Sequence, residues 1–324
     1  MMQILARLVL TLMLSAVMNG AVAQTDSNYP NRTIRIILGY APGGANDFLM
    51  RLVAAKMQET WGQPVIVENR PGANSIIALE LGAKAPADGY TLIFNGMGGL
   101  TINPSMYTTL PYDPVKSFVP FGPLITTPLV LAIHQSVPIS TVPEFLVWAK
   151  DNAGKLNYAS ASTSAEIATE MFLQMTGLRA THIPFKGGGE VAAAVIAGTV
   201  QMALFDSVSI SPSLRSGKIR GIAVTSSKRL SSFPDLPTLS EAGVPGFDMT
   251  LWLTMLAPAG TAQPIVSRLN AEANRIFDLP EVRTRLSGMG AESSPSTPAA
   301  LAGRIRDDIA RYRAVVKAAG MKVQ

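Results

Sequence analysis

The chain carries two histidines and no cysteine, so the side chains that most often do nucleophilic, redox or metal chemistry are nearly missing. Without cysteine there is no thiolate nucleophile, disulfide framework, iron–sulfur cluster or ordinary structural zinc. His134 and His182 are too far apart in sequence to form an HxH or HxxxH metal pair. Glu166 and Glu170 share a helix face, but no His, Cys or third carboxylate beside them completes a metal site. No G-x-S-x-G elbow or G-x-x-x-x-G-K-[ST] phosphate loop occurs, and no G-x-G-x-x-G follows a strand. The expectation is therefore no metal, no cofactor and no catalytic residue. A hydrolase built from a spatial Ser/His/Asp grouping around either histidine stays open as an alternative.

What the sequence does offer is four turns of one kind. They are Gly43-Gly44-Ala45-Asn46, Gly72-Ala73-Asn74-Ser75, Ser160-Ala161-Ser162-Thr163-Ser164 and Lys186-Gly187-Gly188-Gly189, each ahead of a helical pattern. A helix N-terminus has unpaired N–H groups and partial positive charge, so it accepts a carboxylate, phosphate or sulfate. Glycine lets the backbone approach the anion, and Ser, Thr or Asn adds a side-chain hydrogen bond. Two readings stand for each charged neighbour. Asp47 either orders its turn with Arg51, four residues on, or receives a ligand amine or water. Arg70 offers a bidentate carboxylate contact or pins its loop. Lys186 is a ligand countercharge or a solvated lysine, and Asp206 a cleft residue or a turn former. Tyr40 and Trp252 line a cleft or pack in the core.

The elements that would carry these turns alternate. Strand patterns cover residues 33–40, 65–68, 90–95, 129–134, 156–160, 180–185, 201–206, 219–226 and 249–257. Helical spacing covers 46–60, 75–84, 142–152, 165–176, 190–197, 264–278, 280–287 and 298–319. Near-continuous apolar strands with glycine-rich exits suit a parallel sheet covered on both faces, with its ligand site at the strands' carboxyl ends. Residues 112–128 are dense in proline, and 233–247 in proline and glycine, which fits crossings between two lobes. Lobe 1 is expected over 24–126 and 250–324, and lobe 2 over 127–249. Two crossing strands would form the hinge of a clamshell.

Hydrophobic residues at 48% against 15% charged exclude a disordered chain. Residues 1–23 show one charge, Arg7, a mostly apolar run over 8–18, and Ala21-Val22-Ala23. This is the layout of a cleaved secretory signal peptide, so the mature chain starts at Gln24 in the periplasm of a Gram-negative bacterium. The net charge of +5 is scattered, and the Arg304, Arg306, Arg311 and Arg313 set is interleaved with acids. A solvated helix face accounts for it better than a nucleic-acid stripe.

Ala41-Pro42-Gly43-Gly44 with Asp47 and Arg51, Asn69-Arg70-Pro71-Gly72-Ala73 and Asp88-Gly89-Tyr90-Thr91-Leu92 resemble the Bug/TctC proteins, periplasmic receptors of tripartite tricarboxylate transporters. The likeness continues through Pro184-Phe185-Lys186-Gly187, Phe205-Asp206, Ser216-Gly217-Lys218-Ile219-Arg220, Glu241-Ala242-Gly243 and Ala257-Pro258-Ala259-Gly260-Thr261. It implies an α/β, two-lobed type II periplasmic binding protein fold that holds a carboxylate through backbone amides, small polar side chains and water. It also implies integral-membrane transporter subunits as partners. Carried onto this chain, it implicates Gly43, Gly44, Ala45, Asn46, Asp47, Ala73, Ser160, Ser164, Lys186, Gly187 and Asp206; Asn74, Ser162 and Thr163 of the turns and Tyr40 and Asn95 at strand ends complete the expected ligand contacts. Two glycines usual after Pro-Gly-Ala are Asn74 and Ser75 here, and the Gly-x-Gly-Ser turn and following His-Leu are also replaced. A monomeric receptor for a di- or tricarboxylate, acidic amino acid or aromatic acid is expected. The alternative is a ligand sensor for a two-component signalling partner.

Overall fold

The computed structural model describes residues 28–185, 187–230 and 232–323; the expected leader and Lys186 lie outside the described residues. Three parallel strands open the chain: β1 (Ile34–Leu38), β2 (Val65–Asn69) and β3 (Thr91–Gly96), in the order β2-β1-β3. Apart from the exposed Arg35, β1 is apolar because both its faces are covered. Ile36 and Leu38 pack with Leu49, Val53 and Met57 of α1 (Ala45–Trp61), while Ile37 joins Ala78 and Leu79 of α2 (Ile76–Ala83).

A second parallel set comprises β6 (Asn157–Ser160), β7 (Thr181–Pro184) and β8 (Met202–Asp206), with β6 between the other two. Its covers are α5 (Thr163–Thr176) on one face and α6 (Gly188–Ala197) on the other. Tyr158 therefore falls in the α5-side core with Phe172, and Ala159 in the α6-side core with Val191.

Two long strands join the sets. β5 (Leu124–Ile133) and β10 (Thr250–Pro258) lie antiparallel, completing the order β2-β1-β3-β10-β5-β8-β6-β7. β5 changes partners midway. Ile125 to Pro128 pair with β10, and Leu129 to Ile133 pair with β8 and with β9 (Arg220–Val224). At the change, Leu129 N–H donates to the Thr225 hydroxyl at 2.8 Å, and Thr225 N–H returns a bond to Leu129 O at 2.9 Å. The result is the expected α/β, two-lobed binding-protein fold, joined by crossing strands.

Several local expectations give way. The sheet is mixed, because β10 and β5 run against their neighbours at its centre. Residues 112–128 are not all crossing loop: β4 (Phe118–Pro120) pairs with β10, and β5 begins at Leu124. Proline is tolerated there because Pro120 ends a three-residue strand and Pro128 sits at the partner change. A π-turn over Gly98–Ile102 leads into α3 (Asn103–Met106), and α7 (Ser207–Arg215) leaves β8 directly. α7 lacks the glycine punctuation that marked the other turns. β11 (Glu292–Ser294) adds to the edge of β5.

The C-terminal helix α10 (Pro298–Ala319) braces the back of both sets. It places Ile305, Tyr312 and Val315 in one continuous core with Leu100 and Phe172, and Gln174 of α5 donates to Val315 O at 3.1 Å. Trp252 of β10 is buried, and its Nε1–H donates to Asp308 of α10 at 2.7 Å. Burial pushes the Asp308 carboxyl above its ordinary range, opposed by the Arg304 guanidinium and the indole N–H. Trp252→Phe keeps an aromatic ring but leaves a small cavity and strips that donor from a buried acid. It should cost about 1–3 kcal/mol, read as a lower urea midpoint with an unchanged slope.

Candidate functional site

The carboxyl ends of β1, β2, β3, β6 and β8 face one cleft of ≈ 680 Å³. Tyr40, Asn46, Asn74 and Ser75 line it from the first strand set, and Ser162, Thr163, Ser164 and Asp206 from the second. The floor is the crossing pair itself, through Thr127 of β5 and Leu251, Trp252 and Leu253 of β10. A side chamber of ≈ 230 Å³ shares Ala161, Ser162, Asp206 and Leu251 with the cleft and continues to Ser160, Gly187 and Gly188. A separate hollow of ≈ 270 Å³ beside Arg283 and Glu292 meets none of these turns.

Helix starts supply much of the polarity. Ser162 caps α5, its Oγ accepting from Ala165 N–H at 3.2 Å, and the Thr163 and Ser164 N–H groups at the cleft wall come before any intrahelical acceptor. α1 and α6 start at Gly44 and Gly187, and neither has a side-chain cap. Among the described residues lining the main cleft, Asp206 is the single charged side chain. Burial raises the Tyr40 phenol above its ordinary value, so it stays a neutral group. No cluster of three or more His, Cys, Asp or Glu that could hold a metal occurs among the described residues.

The loop after β2 is the most strained part of the rim. Ala73, Asn74 and Ser75 have φ of 45°, 50° and 68°, after Gly72 at 122°. Left-handed backbone costs an L-residue roughly 1–2 kcal/mol, least for Asn. This is why two glycines would be easy here, and why the side chains that stand instead are tied down. Asn74 Nδ2 donates to the Tyr107 hydroxyl at 2.8 Å, and Ser75 Oγ donates to Gly39 O at 3.1 Å. Asn103 Nδ2 donates to Asn74 O at 3.1 Å and to the Tyr112 hydroxyl at 3.2 Å. Gly39 is held to glycine by the same packing, since a Cβ there would lie 2.7 Å from Ser75 Oγ.

Other expected contacts fall elsewhere. Gly43, Gly44, Ala45 and Ala73 are exposed and do not line the cleft. Asp47 is buried and ties its turn: its carboxylate accepts from Gly43 N–H at 2.9 Å, Arg51 Nε at 3.1 Å and Asn69 Nδ2 at 2.9 Å. Arg70 donates to Glu68 at 2.6 Å, a loop contact. Asn95 is buried beside Gly39 and Gly99 and does not line the cleft; its Oδ1 accepts from Gly96 N–H at 2.8 Å and its Nδ2 finds no partner among the described residues. Met97, Gly98, Gly99, Ile102 and Asn103 line the cleft without having been marked in the sequence. Their only signal was the glycine-rich exit from β3.

The Arg51 hydrogen bond, with the Gly43 N–H, lowers the Asp47 carboxyl from 3.8 to about 2. Its stabilisation is whole above the unfolded value and is lost as pH falls toward 2. Asp47→Asn should therefore melt lower than wild type at neutral pH, with the gap closing between about pH 4 and pH 2. Melting temperature against pH reads this directly.

Comparison with known proteins returns one family. Residues 49–321 match the model of the tripartite tricarboxylate transporter family receptor, TctC. Protein BugT of Bordetella pertussis is 31% identical over 307 residues, covering 94% of each chain. Among solved structures, an R. palustris protein determined with adipate is 32% identical, with a TM-score of 0.77, over 92% of this chain and 100% of that one. MatC from Rhodopseudomonas palustris with bound malate is 34% identical, with a TM-score of 0.72, over 89% and 100%.

Proposed function

The chain belongs to the TctC family of tripartite tricarboxylate transporter receptors, and from that premise we propose that it captures a small carboxylate outside the cytoplasm for uptake. One observation carries the reading: helix starts and hydroxyl groups from both strand sets line a single cleft that has no arginine or lysine among its described lining residues. Amide and hydroxyl donors suit a carboxylate, whose oxygens accept several hydrogen bonds at once. Two similar structures hold adipate and malate, which supports a dicarboxylate as the first ligand to try.

In this reading lobe 1 comprises residues 24–126 and 250–324, and lobe 2 residues 127–249. The partner change of β5 between Pro128 and Leu129 supports a boundary there. The turns at Asn74–Ser75 and Ser162–Ser164 grip opposite ends of the ligand, and closure shapes a surface for the membrane subunits. Export follows from the 1–23 leader. No helix among the described residues is long and apolar enough to cross a membrane, which suits a receptor held apart from its permease. The receptor acts as a monomer with one ligand.

The test is a thermal-shift panel of di- and tricarboxylates, acidic amino acids and aromatic acids. A ligand at a hundredfold its Kd adds about 2.7 kcal/mol to the folded state, which should raise the melting temperature by several degrees. A folded, ligand-free protein that no member of the panel stabilises would overturn the carboxylate reading. Loss of uptake of the stabilising acid on gene deletion would tie the receptor to transport. Loss of gene induction alone would assign it to signalling.

A further inference from the structure

Behind the cleft wall stands a line of three groups that ligand capture, as described so far, leaves unused. Ser160 Oγ lies 2.8 Å from His182 Nε2, and His182 Nδ1 lies 3.3 Å from Glu166 Oε1. Ser160 closes β6 and lines the side chamber of the cleft. Backbone pairing holds the arrangement, because Tyr158 and Ser160 of β6 register with His182 and Pro184 of β7. The Tyr158 ring stacks on the imidazole at 4.8 Å and 18°, which fixes the plane in which both ring nitrogens point.

The proton count follows from the donors available. Glu166 is a carboxylate and only accepts, so it selects the tautomer with the proton on Nδ1. Neutral His182 then presents a lone pair at Nε2, and the Ser160 hydroxyl must donate to it. In that state Ser160 offers the cleft lone pairs alone. Protonated His182 reverses the bond: Nε2–H donates to Ser160 Oγ, and the serine proton turns toward the cleft. A hydroxyl donor there favours a carboxylate oxygen, and a hydroxyl acceptor disfavours it.

We propose that His182 is a positioning residue for ligand capture, setting whether Ser160 donates or accepts in the cleft, so that carboxylate binding is coupled to uptake of a proton. The proposal rests on the carboxylate reading of the cleft. Among the described residues, the groups in contact with the imidazole are Tyr158 and Ser160 from β6 and Glu166 from α5. Glu170, one turn further along α5, is engaged by the Tyr158 hydroxyl at 2.7 Å. β7 is the last strand in its sheet, and α6 packs on the opposite face. The same line of atoms serves a nucleophilic serine in hydrolases. Here Ser160 sits in regular paired strand rather than on a strained strand-to-helix elbow, which favours positioning over attack.

Two readouts test it. Imidazole ¹⁵N spectra of the full chain need to separate only two histidines. The neutral form of His182 should carry its proton on Nδ1 with Nε2 hydrogen-bonded, and Ser160→Ala should shift Nε2. A neutral form protonated at Nε2 overturns the proposal. Calorimetric titration with malate and adipate in buffers of different ionisation heat gives the second readout. Wild type should bind about tenfold tighter near pH 6 than near pH 8 and take up protons. Ser160→Ala and His182→Gln should each flatten both effects. Equal affinity at the two pH values, or a pH dependence that survives in Ser160→Ala, overturns it. So does turnover of a carboxylic ester panel that Ser160→Ala abolishes. If neither acid binds at any pH, the carboxylate reading fails and the tautomer spectrum still decides the orientation of Ser160.

Discussion

The antiparallel register of β5 against β10 sets where everything else can stand. Thr250 pairs with Pro128 and Leu253 with Ile125, while further along β10 Thr254 pairs with Asn95 of β3. One step past the partner change, Leu129 pairs with Asp206 of β8. This unbroken ladder fixes the carboxyl ends of β3 and β8, from different strand sets, on either side of one floor. Close packing enforces it: a Cβ on Gly96 would fall 2.0 Å from Trp252 O, and one on Gly122 2.7 Å from Met255 N. A slip of one residue would turn every side chain of the floor to the other face.

Given that floor, the cleft's chemistry comes from what the strand ends lead into. A short exit from a parallel strand leaves a helix start at the sheet edge, and its N–H groups carry polarity that no residue count records. That is how a chain with so few ionisable residues can offer a small anion many donors. The cost appears as local strain in residues 73–75, offset by the hydroxyl and amide bonds of Ser75, Asn74 and Asn103. A rim built on glycines would leave open space there. This rim places an asparagine and a serine against the cleft, and so narrows what fits.

Local pattern revealed the regular elements and little of what joins them. The alternation of strands and helices, the four turns and the return of β10 were legible because apolar periodicity and glycine exits mark them. The helix over Pro298–Ala319 begins and ends where its proline and glycine predict. The strand over residues 124–128 was hidden by prolines that tertiary pairing tolerates at a partner change. α7 was hidden because Pro212 sits inside it and no glycine turn precedes it. Ser160, His182 and Glu166 were each visible as residue types, but their meeting depends on the pairing of β6 with β7 and on the tilt of α5. Spacing along the chain carries no trace of that. Asp47 shows the converse: its place at a helix start was legible, and only geometry distinguishes a residue that orders the turn from one that touches ligand.

The floor and the walls of the cleft answer differently to any rotation about the crossing strands. Thr127, Leu251, Trp252 and Leu253 belong to the strands themselves, and the buried indole of Trp252 is anchored to α10 through Asp308. α10 also packs on α5, with Gln174 bonded to Val315 O, so it ties the second strand set to the first behind the crossing strands. In the proposed closure, residues 74–75 and 162–164 would approach each other across that floor. On that reading, a ligand seated on the floor would meet the second set of donors on closure. Ser160 ends β6 and moves with the second wall. If His182 sets the Ser160 hydrogen bond as proposed, the change from acceptor to donor would act at that wall and not at the floor.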